Sequence, residues 1–257
     1  MTKLIITGEQ KTSPRPLLME TTLDGIRDIK IYQNRDGYRF SVDAVLLYTF
    51  ADMRYARNIA DLGTGSGIIG LLLARKYPKA SVSLVELQES LYSLALKNIE
   101  INGLGDRVNA VLADIKHLKD DFACMTYDLV VSNPPFRKPT TGRLSVGRER
   151  AIARHELALK LSELAAAASY LLKSKGRFFM IYHPGRLLEA VDALRLCRLE
   201  PKRVRFVHND AGAESKIVLI EAVREARPGI KIENPLFIYN EDGSYTAEVS
   251  AMYGDGR

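Results

Sequence analysis

A repeated alternation of strand-like and helix-like segments begins at Asn58 and constrains the fold of this chain more than any other feature. Short apolar runs such as NIADLG and SVSLVEL alternate with longer segments of helical periodicity such as QESLYSLALKNIEING. Strands that alternate with helices build βαβ units, in which neighbouring strands are parallel and helices cover the sheet. The sequence therefore predicts an α/β, Rossmann-like fold around a mostly parallel seven-stranded sheet.

The two ends of the chain depart from this alternation. The last two strand-like segments, KRVRFVHN and SKIVLIEAVRE, have no helical pattern between them and predict an antiparallel hairpin at one edge of the sheet. Near the start, TLDGIRDIKIY predicts a small hairpin with its turn at Asp24-Gly25. We expect residues 1–50 to form an N-terminal extension packed on a main domain at 51–257, which ends in a tail. Gly176 is expected to cap the long helix that HELALKLSELAAAASYLLKSKG predicts.

The segment DLGTGSG lies between the first predicted strand and its helix. Gly63, Gly65 and Gly67 allow a sharp turn and a close approach of the backbone to a ligand, while the helix N-terminus presents unpaired N–H groups. This arrangement predicts an adenosine-containing cofactor. Gly65, Gly67 and Gly70 also satisfy the dinucleotide pattern GxGxxG, and Glu86 follows at the distance of a ribose-binding acid. The loop alone therefore does not separate NAD from S-adenosylmethionine.

Acidic residues at three consecutive strand ends favour S-adenosylmethionine. Asp61 can hold the amino group of a methionine moiety, whereas the like charge of a pyrophosphate would be repelled there. Glu86 can accept both ribose hydroxyls, and Asp114 in LADI can accept a hydrogen bond from the adenine amine. Ligands of parallel sheets bind at the carboxyl ends of the strands. We therefore expect these three side chains to line the cofactor site.

The run Asn133-Pro134-Pro135-Phe136 ends the fourth strand and predicts the chemistry. The exocyclic amine of adenine is a poor nucleophile because its lone pair is delocalised into the ring. The side-chain oxygen of Asn133 and the carbonyl of Pro134 can each accept one N–H and direct the lone pair at a methyl group. The prolines place these acceptors in advance, and Phe136 can stack on the planar target. We expect these four residues to form the catalytic set.

DLGTGSG, the acid in LVEL, LADI and SNPPF, in this order and spacing, resemble the motifs of the Asn-Pro-Pro-aromatic amino-methyltransferases. Within that group the chain resembles the YfiC-like family of tRNA methyltransferases over nearly its whole length, including GYRFSVDAVLL, ARHE and PLFIYNEDGSYTAEV. The resemblance implies a class I S-adenosylmethionine-dependent methyltransferase that modifies N6 of the adenosine next to the anticodon of a valine tRNA. It also implies cofactor contacts from Arg39 and Phe40.

Other substrates and functions remain open at this point. The same motif occurs in enzymes that methylate guanine N2 or adenine in ribosomal RNA, and a Tyr-ending version modifies glutamine in release factors. Phe136 and the short segment before Asn58 disfavour a protein-glutamine enzyme, which carries a separate helical domain for peptides. An intact Asn133–Phe136 motif disfavours an RNA-binding module without catalysis. Titration with NADH and with S-adenosylmethionine would distinguish an oxidoreductase.

Positive charge is concentrated directly after the catalytic motif. The formal net charge is +6 and the pI is about 9.2, values compatible with a polyanionic partner. Cations in this position would neutralise phosphates that flank a base inserted in the site, so we expect RNA, and tRNA in particular, as the partner. The predicted RNA-binding residues are Arg137, Lys138, Arg143, Arg148, Arg150 and Arg154, extended by Lys202, Arg203 and Arg205.

Two further expectations are negative. Cys124 and Cys197 belong to no CxxC pair or Cys/His cluster, so we expect neither a metal site nor a disulfide framework. The apolar runs are too short to span a bilayer, and the N-terminus lacks a signal-peptide core. We therefore expect a cytoplasmic protein without a membrane partner.

Overall fold

The computed structural model describes residues 21–34, 42–134 and 161–254. Within these ranges no helix is both long and apolar enough to cross a membrane. The strands are β1 (Thr21–Ile26), β2 (Ile29–Asn34), β3 (Asn58–Leu62), β4 (Ser81–Glu86), β5 (Val108–Leu112), β6 (Tyr127–Ser132), β7 (Leu172–Tyr182), β8 (Leu199–His208), β9 (Ser215–Arg224), β10 (Lys231–Ile232) and β11 (Leu236–Phe237). The α-helices are α1 (Val42–Phe50), α2 (Ile68–Lys76), α3 (Glu89–Ile101), α4 (Leu161–Leu171), α5 (Leu187–Leu196) and α6 (Ala247–Tyr253).

All strands after β2 form one sheet in the order β10–β8–β9–β7–β6–β3–β4–β5, with β11 also beside β8. The pairs β3–β4, β4–β5, β3–β6 and β6–β7 are parallel, whereas β9 is antiparallel to both β7 and β8. This topology confirms the predicted α/β fold and its antiparallel hairpin. The two-residue strands β10 and β11 pair with β8 and extend the sheet beyond the seven strands that the sequence predicts.

Strand side chains point alternately to the two faces of the sheet, and both faces are buried because helices cover them. One face packs against α1, α2, α3 and α6 and includes Ile59, Leu129 and Phe179. The other packs against α4 and α5 and includes Val130 and Phe178. Solvent reaches none of these five side chains. Because helices cover both faces of the sheet, a ligand would bind at the ends of its strands.

The N-terminal hairpin β1–β2 is present, but its turn differs from the prediction. The turn is Arg27-Asp28 rather than Asp24-Gly25. Arg27 has a φ of 53°, and its guanidinium donates to the carbonyl of Met252 in α6 at 2.8 Å. Ile26 and Ile29, which flank the turn, are buried. Core packing and this long-range contact therefore set the register and outweigh the local preference of Asp-Gly for a turn.

The helix predicted to end at Gly176 also ends elsewhere. α4 closes at Leu171, and Gly176 lies within β7. The ladder between β6 and β7 shifts register between Leu172 and Arg177, so the intervening residues form a bulge. A Cβ at Gly176 would lie 2.9 Å from the backbone oxygen of Lys173. The glycine therefore permits a bulge and does not cap a helix.

Candidate functional site

The carboxyl ends of four parallel strands meet at one edge of the sheet. β4 and β5 lie on one side of β3 and β6 lies on the other, so the order in which the strands are added to the sheet reverses at β3. Crevices that bind ligands form at such switch points. Asp61 of β3 is opposite Val131 of β6, and Glu86 ends β4. The structure thus brings Asp61, Glu86, Asp114 and Asn133 to the same edge.

The glycine loop turns sharply between β3 and α2. Gly63, Gly65 and Gly67 have φ values of 70°, 61° and 94°, in the left-handed region that glycine adopts without strain. The amides of Gly63 and Thr64 both donate to the carbonyl of Val85 in β4, at 2.9 and 3.0 Å. The loop is therefore fixed to the neighbouring strand, and its turn requires the glycines.

Asp61 is completely buried beneath this loop. Its Oδ2 atom accepts hydrogen bonds from Thr64 Oγ1 at 2.6 Å and from Gly70 N at 3.0 Å. Its Oδ1 atom is buried and has no hydrogen-bond partner within the described ranges. Burial raises the pKa of Asp61 from 3.8 to about 7 in spite of these two hydrogen bonds. A buried acceptor of this kind fits an ammonium group, which supplies a donor and the opposite charge.

Glu86 holds the loop from β4. Its Oε2 atom accepts from Gly65 N at 2.8 Å, and its Oε1 atom accepts from the amides of Leu87 and Gln88 at 3.0 and 2.9 Å. Burial raises the pKa of this carboxyl above its usual value. A carboxylate has about four acceptor positions, so these amides leave about one for a ribose hydroxyl. The contact of Glu86 with both ribose hydroxyls stays a prediction, and a second hydroxyl would compete with an amide.

Asp114 follows β5 and has a local role of its own. The half-buried side chain caps the short 3₁₀ helix Ile115–Asp120, where its Oδ1 atom accepts from Lys116 N at 2.9 Å. This bond fixes the orientation of the carboxylate at the sheet edge. Its predicted contact with an adenine amine stays a prediction.

The catalytic motif begins directly after β6. Ser132 is buried and donates from Oγ to the carbonyl of Leu62 at 2.7 Å, which ties the end of β6 to the end of β3. Pro134 is buried and Asn133 is half-buried. The start of the motif is therefore fixed relative to the candidate cofactor site. The other residues predicted for catalysis or cofactor binding lie outside the described ranges: Arg39, Phe40, Pro135 and Phe136.

Two of the predicted RNA-binding cations on β8 have partners inside the protein. Arg203 Nε lies 2.6 Å from Oε2 of the buried Glu221, and the guanidinium stacks 4.0 Å from the centre of the Phe50 ring. Arg205 forms a bidentate pair with Glu248 at 2.6 and 2.9 Å. Both charges are therefore compensated within the fold, and their contact with RNA stays a prediction.

Lys202 is the other predicted cation within the described ranges. Lys202 Nζ donates to the carbonyl of Arg227 at 3.2 Å on the exposed surface, with no carboxylate in that bond. The six cations between Arg137 and Arg154 lie outside the described ranges. Their contact with RNA stays a prediction.

Sequence reasoning missed two hydroxyl side chains that hold the site together. Thr64 donates to the buried Asp61, and Ser132 joins two strand ends through Leu62. Both hydroxyls stand within or directly beside motifs that the sequence singles out. A buried turn could have indicated them, because its backbone carbonyls and carboxylates need hydrogen-bond donors from nearby side chains.

Comparison with known proteins identifies the family. Residues 41–195 match the family model of the methyltransferase small domain. The chain is 31% identical to the tRNA1(Val) (adenine(37)-N6)-methyltransferase of Phocaeicola vulgatus over 194 residues, which are 76% of this chain and 80% of that protein. It is 32% identical to the protein of the same name from Porphyromonas gingivalis over 209 residues, which are 79% of this chain and 81% of that protein.

Solved structures show the same fold. The crystal structure of a predicted O-methyltransferase from Agrobacterium tumefaciens superposes with a TM-score of 0.67 at 22% identity. The match covers 82% of this chain and 95% of that chain, so the two proteins share the α/β fold. The chain belongs to the methyltransferase small domain family and, within it, to the family of the tRNA1(Val) (adenine(37)-N6)-methyltransferases.

Proposed function

We propose that the protein transfers a methyl group from S-adenosylmethionine to the exocyclic N6 amine of an adenosine in tRNA. The relatives from P. vulgatus and P. gingivalis are named for adenine 37 of tRNA1(Val), and we assign the same target to this chain. One observation carries the proposal. Asp61 Oδ1, which has no hydrogen-bond partner among the described residues, and the start of the Asn133-Pro134 motif lie at the ends of adjacent parallel strands, at the same edge of the sheet.

The side chains at this edge fit S-adenosylmethionine, which supplies a methyl group on a positively charged sulfur when it is bound. Asp61 Oδ1 would accept a hydrogen bond from the ammonium of the methionine moiety. Glu86 retains an acceptor position for a ribose hydroxyl, and Asp114 would accept from the adenine amine. A pyrophosphate would meet the buried acid of Asp61 with like charge. The same residues therefore disfavour NAD.

Asn133 and Pro134 would hold the target amine. The Asn133 side-chain oxygen and the Pro134 carbonyl each accept one N–H, which turns the nitrogen lone pair out of conjugation with the ring. Pro134 is buried and Ser132 ties the end of β6 to Leu62, which would hold the backbone of the motif in place before the substrate binds. The amine proton becomes acidic after methyl transfer and can leave to water. The protein thus acts by positioning, without a general base.

RNA would be held by the basic sequence segment that follows the catalytic motif. Cations there can neutralise phosphates on either side of the inserted adenosine. Because Arg203 and Arg205 are paired with carboxylates within the fold, we restrict the proposed RNA-binding residues to this segment and Lys202. The cations of the segment are Arg137, Lys138, Arg143, Arg148, Arg150 and Arg154.

Purified protein, S-adenosylmethionine and unmodified tRNA, followed by mass spectrometry of nucleosides, test this function. We expect N6-methyladenosine in tRNA. Asn133→Ala should lower turnover by about a hundred-fold or more with little change in cofactor affinity, because its contact forms with the target amine. Asn209→Ala, at an exposed position after β8, is the matched control and should remain active. An active Asn133→Ala enzyme would contradict the proposal. So would tRNA that stays unmethylated while ribosomal RNA or a protein glutamine, offered in parallel reactions, is methylated.

A further inference from the structure

Two buried asparagines hold the N-terminal hairpin, Asn98 in α3 and Asn102 at the C-terminal cap of that helix. Asn102 accepts from Lys30 N at 2.9 Å and donates to Lys30 O at 2.6 Å. Asn98, one helical turn earlier, accepts from Tyr32 N at 2.6 Å and donates to Tyr32 O at 3.1 Å. Two residues of a strand span about 6.8 Å and four residues of a helix about 6 Å, so the spacings match. The two side-chain amides therefore form the hydrogen bonds with β2 that a neighbouring strand would form in a sheet.

Asn98 differs from Asn102 in one contact. The Nδ2 atom of Asn98 also donates to the carbonyl of Ser66 in the glycine loop, at 2.9 Å. The Nδ2 atom of Asn102 instead donates to the backbone oxygen of Asn98 in its own helix, at 2.7 Å. Asn98 is completely buried and Ser66 nearly so. Loss of this bond would therefore leave a buried carbonyl without its donor.

The Ser66 carbonyl lies at the turn of the loop that faces the cofactor site. Its neighbours are held separately: Gly65 N donates to Glu86 at 2.8 Å, and Gly67 N donates to the carbonyl of Thr64 at 3.1 Å. The loop is therefore anchored from β4 by Glu86 and from α3 by Asn98. The α3 anchor is the same amide that binds the hairpin.

We propose that Asn98 is a positioning residue for the cofactor, because it couples docking of the hairpin to the shape of the glycine loop. The two N–H groups of its amide donate to the carbonyls of Tyr32 and Ser66, so a single orientation of the amide forms both bonds. Release of β2 would remove two of the three hydrogen bonds that hold the amide in this orientation. The inference rests on the proposed use of this loop for S-adenosylmethionine.

Asn98→Ala and Asn102→Ala form a matched pair, since each removes two hydrogen bonds to β2 but only Asn98→Ala removes the Ser66 contact. Binding of S-adenosylmethionine is measured by calorimetry, with a melting curve for each variant. We expect similar losses of thermal stability and an affinity about fivefold or more lower for Asn98→Ala than for Asn102→Ala. Equal affinities of the two variants would overturn the coupling. Failure of the wild-type protein to bind S-adenosylmethionine would instead refute the proposed function.

A measurement on the wild-type protein keeps the inference testable if Asn98→Ala does not fold. Amide hydrogen exchange of Lys30 and Tyr32 is followed by NMR with and without S-adenosylmethionine. Coupling is reciprocal, so a ligand that fixes the glycine loop should slow opening of the hairpin and the exchange of both amides. If the hairpin opens independently of the loop, the ligand leaves these exchange rates unchanged, and that result would overturn the proposal.

Discussion

Asp61→Asn tests whether a buried carboxylate prepares the cofactor site. The substitution keeps the shape of the side chain and an oxygen for the bonds from Thr64 and Gly70. It replaces the unpartnered Oδ1 with an amide nitrogen, which donates and carries no charge. Without cofactor, the variant no longer buries a carboxylate; with cofactor, a donor would face the ammonium group. We therefore expect higher stability at neutral pH and loss of S-adenosylmethionine binding.

The size of the stability effect follows from the pKa of Asp61, which is about 7 in the folded protein and 3.8 in its ordinary state. Between these values the folded protein retains a proton that the unfolded chain has released. The free energy of unfolding therefore falls as the pH rises from about 4 to about 7. One pKa unit corresponds to about 1.4 kcal/mol. A rise from about pH 5 to about pH 7.5 should lower the stability of the wild-type protein by about 2–3 kcal/mol through this group.

Urea denaturation at these two pH values gives the change in the free energy of unfolding with pH for each protein, and the two changes are compared. Other titrating groups, including Glu86, are common to both proteins and largely cancel. The wild-type protein should lose about 2–3 kcal/mol more than Asp61→Asn on going to the higher pH. Asp106→Asn, at an exposed position, is the control and should behave as the wild-type protein. Equal pH dependence in the wild-type protein and Asp61→Asn would refute the reasoning.

Gly70→Ala should destabilise the protein by about 1–3 kcal/mol, because the added Cβ would lie 2.1 Å from Cδ2 of the buried Leu84. Thermal denaturation measures this against Gly105→Ala, whose Cβ would make an ordinary contact, and equal stabilities would show that the core yields without cost. Arg148→Ala combined with Arg150→Ala should weaken tRNA binding and flatten its salt dependence by about one to two units of slope, with S-adenosylmethionine binding unchanged. Anisotropy titrations across a salt series measure the slope, and slopes equal to the wild-type value would exclude these two arginines from the RNA contact.

Structure that depends on local signals could be predicted from the sequence. The apolar run of β3 and the glycines at 63, 65 and 67 specify a strand followed by a sharp turn, and the turn has the expected left-handed residues. Asn102-Gly103 likewise ends α3 where predicted, because Gly103 adopts a φ of 60° that terminates a helix. In both places the residue type itself determines the backbone conformation.

Contacts between distant segments could not be predicted in this way. Glu86 reaches the amide of Gly65, 21 residues away, and Arg27 reaches Met252, 225 residues away. Which partner a polar side chain meets depends on strand register and on the face of each helix, and neither is encoded within a few residues. The compensated charge of Arg203 has the same origin, since its proximity to Glu221 follows from the pairing of β8 with β9.

The choice of cofactor depends both on local sequence signals and on contacts between distant segments. Gly65, Gly67 and Gly70 fit the dinucleotide pattern as sequence, and their geometry is equally compatible with either cofactor. In the structure the amide of Gly70 donates to Asp61, so the third glycine serves to bring a buried acid against the loop. One oxygen of that acid has no donor in the part of the chain that the structure describes. A pyrophosphate offers acceptors, whereas the ammonium of a methionine moiety offers donors and a positive charge. The acid beneath the glycines, more than the glycines themselves, therefore favours S-adenosylmethionine.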